Sequence, residues 1–469
     1  MARFLQIVFV LLFIPLGNHL LAENTVIKGN VKNGEEREIK VIQYVDYISM
    51  TEKVIASTKI NKDGSFHLKF FLPQVDRLKI AIGFKHTSLY IEPGSTAELV
   101  INYKKRVERK KGYFPLEQPL DAVIENEKDS SVGQMISRFD SVSGKILPEN
   151  KIKMILYQRN FSMYDSLKTE IEKWIDQVDN QYVKDYADYR LGQLSTAIYV
   201  YNMRQTGEEL LAQRQIKYRH REYMSFLKKF APVYVPDKSA EITHRDLTNS
   251  INKEKSYFQL DEALGKDTLF RNEQLRELVA IALLEDLYYQ SDYGQDNVIK
   301  VLGQIAEKTK FEQHKQIISR LNTKLKEEKN KGYRDFKFVL TNGDSVSFKD
   351  YQGRYFLVSF FQTDCFACVL EMDVMKKLYN EHKNDIYLLS IFLDEDYQDY
   401  EKFVQSNDYN WDLAHFAHQY KITKKFNIPT IPRFMLIGPD GEIIQKYFPK
   451  LSEGGLKKIY KRLNQKRKH

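Results

Sequence analysis

From residue 24 to about 103, polar and apolar positions alternate, and turn signals break the alternation at short intervals. Thr25–Val31, Ile39–Val45, Val54–Ile60, Ser65–Phe71, Leu78–Gly83 and Ser88–Ile91 each read as a strand with one buried face. Asp63-Gly64 marks a hairpin turn and Pro93-Gly94 a second turn. The pattern predicts a small all-β sandwich over residues 24–103. No grouping of histidines, cysteines or acids there suggests chemistry, so its expected role is packing or interaction.

From about 118 to 330 the pattern changes to helical spacing. Leu167, Ile171, Trp174, Ile175, Val178 and Tyr182 recur every three or four positions, as do Leu275, Leu278, Ile281 and Leu284, and then Ile317, Leu321 and Leu325. A central all-α region of amphipathic helices follows from this. Its tyrosines (Tyr182, Tyr186, Tyr189, Tyr199 and Tyr201) read as core and half-buried packing rather than as a binding groove. No repeat is clear enough to indicate a solenoid.

Strands and helices alternate over 332–469. Phe336–Leu340 and Ser345–Phe348 flank the Asn342-Gly343 turn, and Tyr355–Phe361 and Ile386–Leu393 are buried strands. Ala367–His382, Asp396–Gln405 and Ser452–Leu463 are helices, and Arg433–Ile437 and Glu442–Tyr447 form a hairpin. This order implies βαβ units around a central sheet. The fold class expected is multidomain: β-sandwich, helical middle, C-terminal α/β domain.

Length fits about three domains, and a mean hydropathy of −0.50 fits a globular chain. Lys and Arg number 72 against 63 Asp and Glu, a formal charge of +9. Much of the excess sits in Lys104–Lys111 and Lys466–His469, which read as solvated linker and tail, with contact to an anionic membrane surface as the alternative. Residues 1–22 have the layout of an export signal, Arg3, an apolar run from Phe4 to Leu16 and a cleavage site after Ala22, with an uncleaved anchor as the alternative. Export places the mature chain in an oxidising compartment, expected to be a periplasm, and makes nucleic acid an unsuitable partner.

Only two cysteines occur, in Cys365-Phe366-Ala367-Cys368, between a buried strand and a helix. The first sulfur falls at a helix N-terminus, where free N–H groups and the helix dipole stabilise a thiolate. The second lies one turn in, placed to resolve a mixed disulfide. A structural disulfide is the competing reading, but cysteines this close in sequence close a very short loop and stabilise little. A metal site would need two more ligands; His415 and His418, spaced i, i+3 beside Trp411, read instead as surface or packing residues, so no metal and no cofactor is expected.

With these residues in view, 332–469 resembles the thioredoxin-fold domain of TlpA/ResA-like thiol–disulfide oxidoreductases. The resemblance is carried by the opening hairpin Phe336–Tyr351 with Ser347-Phe348-Lys349-Asp350, by Cys365-Phe366-Ala367-Cys368, by Glu371, and by Ile431-Pro432 followed by a strand and Gly441. It implies Cys365 as attacking thiolate and Cys368 as resolving thiol. It implies a cis bond before Pro432, with Pro429 as rival, whose outward-turned Ile431 backbone pairs with a substrate strand. Phe366, Ile431 and Pro432 are the candidate substrate contacts. Glu371 is either the proton acceptor for Cys368 or a surface acid of the first turns. Ser359 stands where thioredoxins proper carry a buried Asp. Asp364 stands where most members have Trp, and Val369 replaces a basic residue, so the direction of electron flow stays open. The peroxiredoxin pattern Pro-x-x-x-Thr-x-x-Cys is missing around Cys365. The expected function is reduction of disulfides in cysteine-containing exported proteins, fed by a membrane thiol donor. The alternatives are a disulfide oxidase or isomerase, or an adaptor built on a thioredoxin scaffold.

Overall fold

The computed structural model describes residues 24–104, 114–115, 117–158, 160–198, 202–290, 292–329, 336–420, 422–423, 426 and 428–466. The expected export signal, Tyr199, Tyr201 and most of the two lysine-rich runs lie outside the described residues.

The N-terminal domain contains β1 (Thr25–Lys32), β2 (Glu38–Tyr44), β3 (Glu52–Lys59), β4 (Ser65–Phe70), β5 (Asp76–Ile82), β6 (Lys85–Ile91) and β7 (Thr96–Asn102), then the short β8 (Phe114–Pro115), β9 (Gln118–Pro119) and β10 (Asp121–Ile124). One sheet has the order β10-β7-β1-β4 and another the order β3-β2-β5-β6-β9. Inward-facing residues of both sheets, among them Ile27, Leu68 and Leu99 from the first and Val41, Leu78 and Ile80 from the second, form one apolar core. Strand β7 was not among the strands expected, although Ala97, Leu99 and Ile101 alternate inward. Strand β10 pairs with it, so the sheet extends beyond residue 103.

The middle is helical. Its main helices include Val132–Ile146, Phe161–Asp176, Gln181–Ile198, Arg221–Asp237, Glu273–Leu287, Gln295–Lys308 and Glu312–Lys329. Of the apolar positions read from periodicity, Leu275, Leu278, Ile281 and Leu284 in one helix and Ile317, Leu321 and Leu325 in another are buried, as are Ile171 and Ile175, whereas Leu167, Trp174, Val178 and Tyr182 are only partly buried. Tyr186 and Tyr189 are core residues, as expected of packing tyrosines. Tyr47 and Ile48, from the β2–β3 loop, are buried in the helical core.

The C-terminal domain contains β11 (Lys337–Leu340), β12 (Ser345–Ser347), β13 (Tyr355–Phe361), β14 (Ile386–Phe392), β15 (Asp412–His415), β16 (Thr430–Ile431), β17 (Arg433–Ile437) and β18 (Ile443–Phe448). Seven of these strands form a mixed sheet in the order β12-β11-β15-β14-β13-β17-β18. β13 and β14 run parallel at its centre, and β17 returns antiparallel to β13. Six of the seven residues of β13 are buried, as a strand covered on both faces requires. Helices Phe366–His382, Tyr397–Gln405 and Leu456–Lys466 pack on this sheet. Strand β16 is separate from it, and its partner is β8.

Candidate active site

Strand β13 ends at Phe361, four residues before Cys365, and the next helix begins at Phe366. Cys365 is the N-cap of that helix, and its Sγ accepts a hydrogen bond from the Cys368 N–H at 3.2 Å. A thiolate on Cys365 would keep this N–H and gain from the helix dipole, which favours its ionised form. Cys368 has no equivalent position, so the geometry makes the two sulfurs inequivalent. The two are joined in a disulfide with a Cα–Cα distance of 5.2 Å. Neither sulfur faces solvent: Cys365 is only 2% exposed, and Cys368 1%. The exposed group of the motif is Phe366, at 66%, with Leu370 beside it on the helix. Both exposed side chains are apolar.

The Ile431–Pro432 peptide is cis, which selects Pro432 over Pro429. Ile431 is fully buried and belongs to the same apolar cluster as both cysteines. Its backbone edge is paired with Phe114 across the β8–β16 ladder.

Glu371 is buried, as a proton acceptor would be, but its carboxylate is engaged elsewhere. It accepts hydrogen bonds from Leu451 N–H at 2.7 Å, Ser452 N–H at 3.3 Å and the Ser452 hydroxyl. These contacts tie the motif helix to the turn before the last helix, which the i+3 spacing from Cys368 did not reveal. Ser359, in place of a buried acid, donates to Ser390 Oγ at 2.9 Å, and the Trp411 indole N–H donates to the same oxygen at 2.9 Å. A neutral network occupies the position where thioredoxins proper hold a carboxyl.

A buried carboxyl does reach the active-site loop, from a residue that sequence reasoning missed. Asp394, just beyond β14, accepts from the Thr363 N–H at 3.0 Å and from the Thr363 hydroxyl at 2.7 Å. Burial pushes its pKa up to about 7 against the lowering effect of those hydrogen bonds, and the charge of Asp364 adds to the rise. His415 Nε2 meets the Asp394 carbonyl at 2.6 Å, and burial lowers the His415 pKa. His418 Nε2 meets the Glu395 carbonyl at 2.9 Å, so both histidines serve this loop. Among the described residues no cluster of three or more His, Cys, Asp or Glu could hold a metal ion.

The neighbouring Glu395 joins the site to the β-domain. Its carboxylate accepts from the Phe84 N–H and from the Tyr103 hydroxyl. Gly83 makes the approach possible: its φ is +58°, and a Cβ there would lie 1.8 Å from Glu395 Oε1. Phe84 then stacks on Phe416 with centroids 5.4 Å apart and meets Tyr420 edge-on at 4.8 Å. The signal for Asp394 and Glu395 in the sequence was only a run of acids, Asp394-Glu395-Asp396, after an apolar strand. Asp396 caps the following helix through the Gln398 N–H, and that ordinary role masks its neighbours.

Strand, Cys-x-x-Cys, helix and a cis-proline turn beside the pair define a thioredoxin-like redox domain. Comparison with known proteins agrees. Residues 330–446 match the AhpC/TSA family. Thiol-disulfide oxidoreductase ResA of Bacillus thuringiensis subsp. konkukian is 29% identical over 112 residues, covering 23% of this chain and 64% of that protein. A ResA of Bacillus cereus is 28% identical over 129 residues, covering 26% of this chain and 74% of that protein. The chain thus spans 64% of the length of the first of these relatives. Of solved structures, a thioredoxin domain of a thiol-disulfide oxidoreductase from Bacteroides vulgatus is 21% identical with a TM-score of 0.26, covering 27% of this chain and 92% of that one. StoA from Bacillus subtilis is 21% identical with a TM-score of 0.22, covering 24% of this chain and 84% of that one. Over these residues the C-terminal domain is similar to thiol-disulfide oxidoreductases of the ResA kind.

Proposed function

We propose that this protein is an exported thiol–disulfide oxidoreductase that reduces disulfides in other exported proteins. The observation that supports it most is the Cys365 Sγ at the helix N-cap, accepting the Cys368 N–H one turn from its partner sulfur. In the reduced protein the Cys365 thiolate attacks a substrate disulfide. One substrate sulfur leaves as a thiolate and takes up a proton, and a mixed disulfide remains. Cys368, losing its proton, then attacks Cys365. The Cys365–Cys368 disulfide forms and the second substrate sulfur departs as a thiol. Two electrons pass from the pair to the substrate, and an external dithiol, expected to be a membrane thiol donor, restores them.

A protein substrate suits this site better than a small molecule. The motif carries the exposed apolar side chains Phe366 and Leu370, which a protein surface can cover. Export and a periplasmic location rest on the N-terminal signal pattern. Among the described residues no helix is long and apolar enough to cross a membrane.

Cys368→Ser in the full chain tests the reading. It should accumulate mixed disulfides through Cys365 that dissolve on adding dithiothreitol. Wild type should reduce dithiobis(nitrobenzoate) and insulin, and Cys365→Ser neither. A wild-type chain that reduces no disulfide and a Cys368→Ser variant that traps no partner would overturn it.

A further inference from the structure

Strand β16, the residues Thr430 and Ile431 immediately before Pro432, has β8, the chain's own Phe114–Pro115, as its partner. The pairing is antiparallel, Ile431 with Phe114 and Thr430 with Pro115. In an antiparallel ladder, opposed pairs alternate between those that exchange both backbone hydrogen bonds and those that exchange none. Pro115 has no N–H to give, so the exchanging pair is Ile431 with Phe114. Both polar backbone groups of Ile431 are thereby used, and Ile431 is fully buried. Cys365, within the same cluster, is likewise closed to solvent.

β8 and β16 form a sheet of two strands, apart from the seven-stranded sheet. An isolated two-stranded pair is marginal on its own, so it exchanges readily with a competing strand. Its place in the chain keeps the local concentration of β8 high: β7 ends at Asn102 and β9 begins at Gln118, both in the β-domain. That domain is itself fixed to the C-terminal domain through Gly83, Phe84 and Glu395.

We propose that Phe114–Pro115 is a built-in pseudosubstrate: it occupies by strand addition the backbone edge that an extended segment of a protein substrate must pair with, and substrate binds by displacing it. This rests on the exchange reading for the identity of the substrate, but the occupancy itself is independent of it. Apparent affinity for a protein disulfide is reduced by the fraction of time the edge is free. A small disulfide that needs only the sulfur of Cys365, and no strand edge, is affected far less.

The experiment compares full-length wild type with Phe114→Pro, which removes the N–H donated to the Ile431 carbonyl. Reduction of insulin and of dithiobis(nitrobenzoate) is followed, together with hydrogen exchange of the peptide containing Ile431. Self-occupancy predicts insulin reduction about five- to tenfold faster in the variant, the small disulfide within about twofold of wild type, and loss of protection at Ile431. Unchanged insulin reduction, or equal acceleration with both disulfides, would overturn the proposal. Exchange in unmodified wild type decides the matter even where the variant folds poorly: an Ile431 amide that exchanges as an unpaired one contradicts the pairing. A wild type that protects Ile431 but reduces neither disulfide would retain the strand contact and remove the exchange reading instead.

Discussion

The β-domain meets its two neighbours in different ways. Toward the helical region it commits buried charge. Arg219 pairs with Asp76, which is 1% exposed, and donates to the Tyr44 and Val45 carbonyls at 2.8 and 2.9 Å. Arg320 reaches Asp46 at 2.6 Å, and Tyr47 and Ile48 are buried among the helices. Toward the thioredoxin-like domain it brings the Phe84 N–H, the Tyr103 hydroxyl and Arg37 onto the Glu395 carboxylate beside Gly83, stacks the Phe84 ring, and adds the β8–β16 pair. The first joint resists opening because separation would strand buried ions. The second falls on the loops that hold the redox site: Glu395 follows Asp394, which binds Thr363, and Ile431 precedes Pro432. One joint fixes architecture, and the other touches chemistry.

Arg219→Ala should have the largest effect on stability. It leaves the Asp76 carboxylate buried with only Gln43 and Tyr47 as side-chain donors, at a cost of about 4 kcal/mol. Thermal unfolding should shift while the potential of the cysteine pair stays put. Phe84→Ala should cost about 3 kcal/mol at the other joint, through the lost ring contacts with Phe416 and Tyr420. Here protection of the 428–436 segment against hydrogen exchange should fall as well. An equal response of that segment to both variants would erase the contrast.

Asp394 supplies a pH dependence. Its folded pKa, about 7, lies above the ordinary carboxylate value. Its contribution to stability is therefore complete below the unfolded value and is lost as pH rises through about 7. Wild type should lose on the order of 2 kcal/mol between about pH 5.5 and 8 from this group, and Asp394→Asn should lack that decline. Denaturant midpoints across that range measure it. Glu371→Gln should have the smallest effect, about 1 kcal/mol, because the amide keeps one acceptor for Leu451 and Ser452. A large fall in exchange rate with unchanged stability would return Glu371 to the role of proton acceptor for Cys368.

The same contrast marks what could be read from the chain. The motif, its strand and helix, and Pro432 were legible because each carries a local signal: an apolar run, a fixed cysteine spacing, a proline ahead of a strand and hairpin glycine. Strand β15 was not read, since Asp412-Leu413-Ala414-His415 is too short to show a period. Gly83, Asp394, Glu395 and the β8 pair escaped for a different reason. Their roles come from partners on other elements, 31 positions away for Asp394 and Thr363 and 311 for Phe84 and Glu395, and two residues such as Phe114–Pro115 carry no pattern. The burial of Cys365 escaped too, because exposure at a helix N-terminus is set by what the rest of the fold lays over it.

The reduction potential of Cys365–Cys368, obtained by equilibrating the full chain in thiol redox buffers, tests the exchange chemistry most directly. A pair that cycles reversibly near about −270 mV, as a thioredoxin does, is the expected result for a disulfide reductase. A pair near about −120 mV would reverse the direction of electron flow, and one still oxidised below about −300 mV would be a structural disulfide and contradict the proposed function.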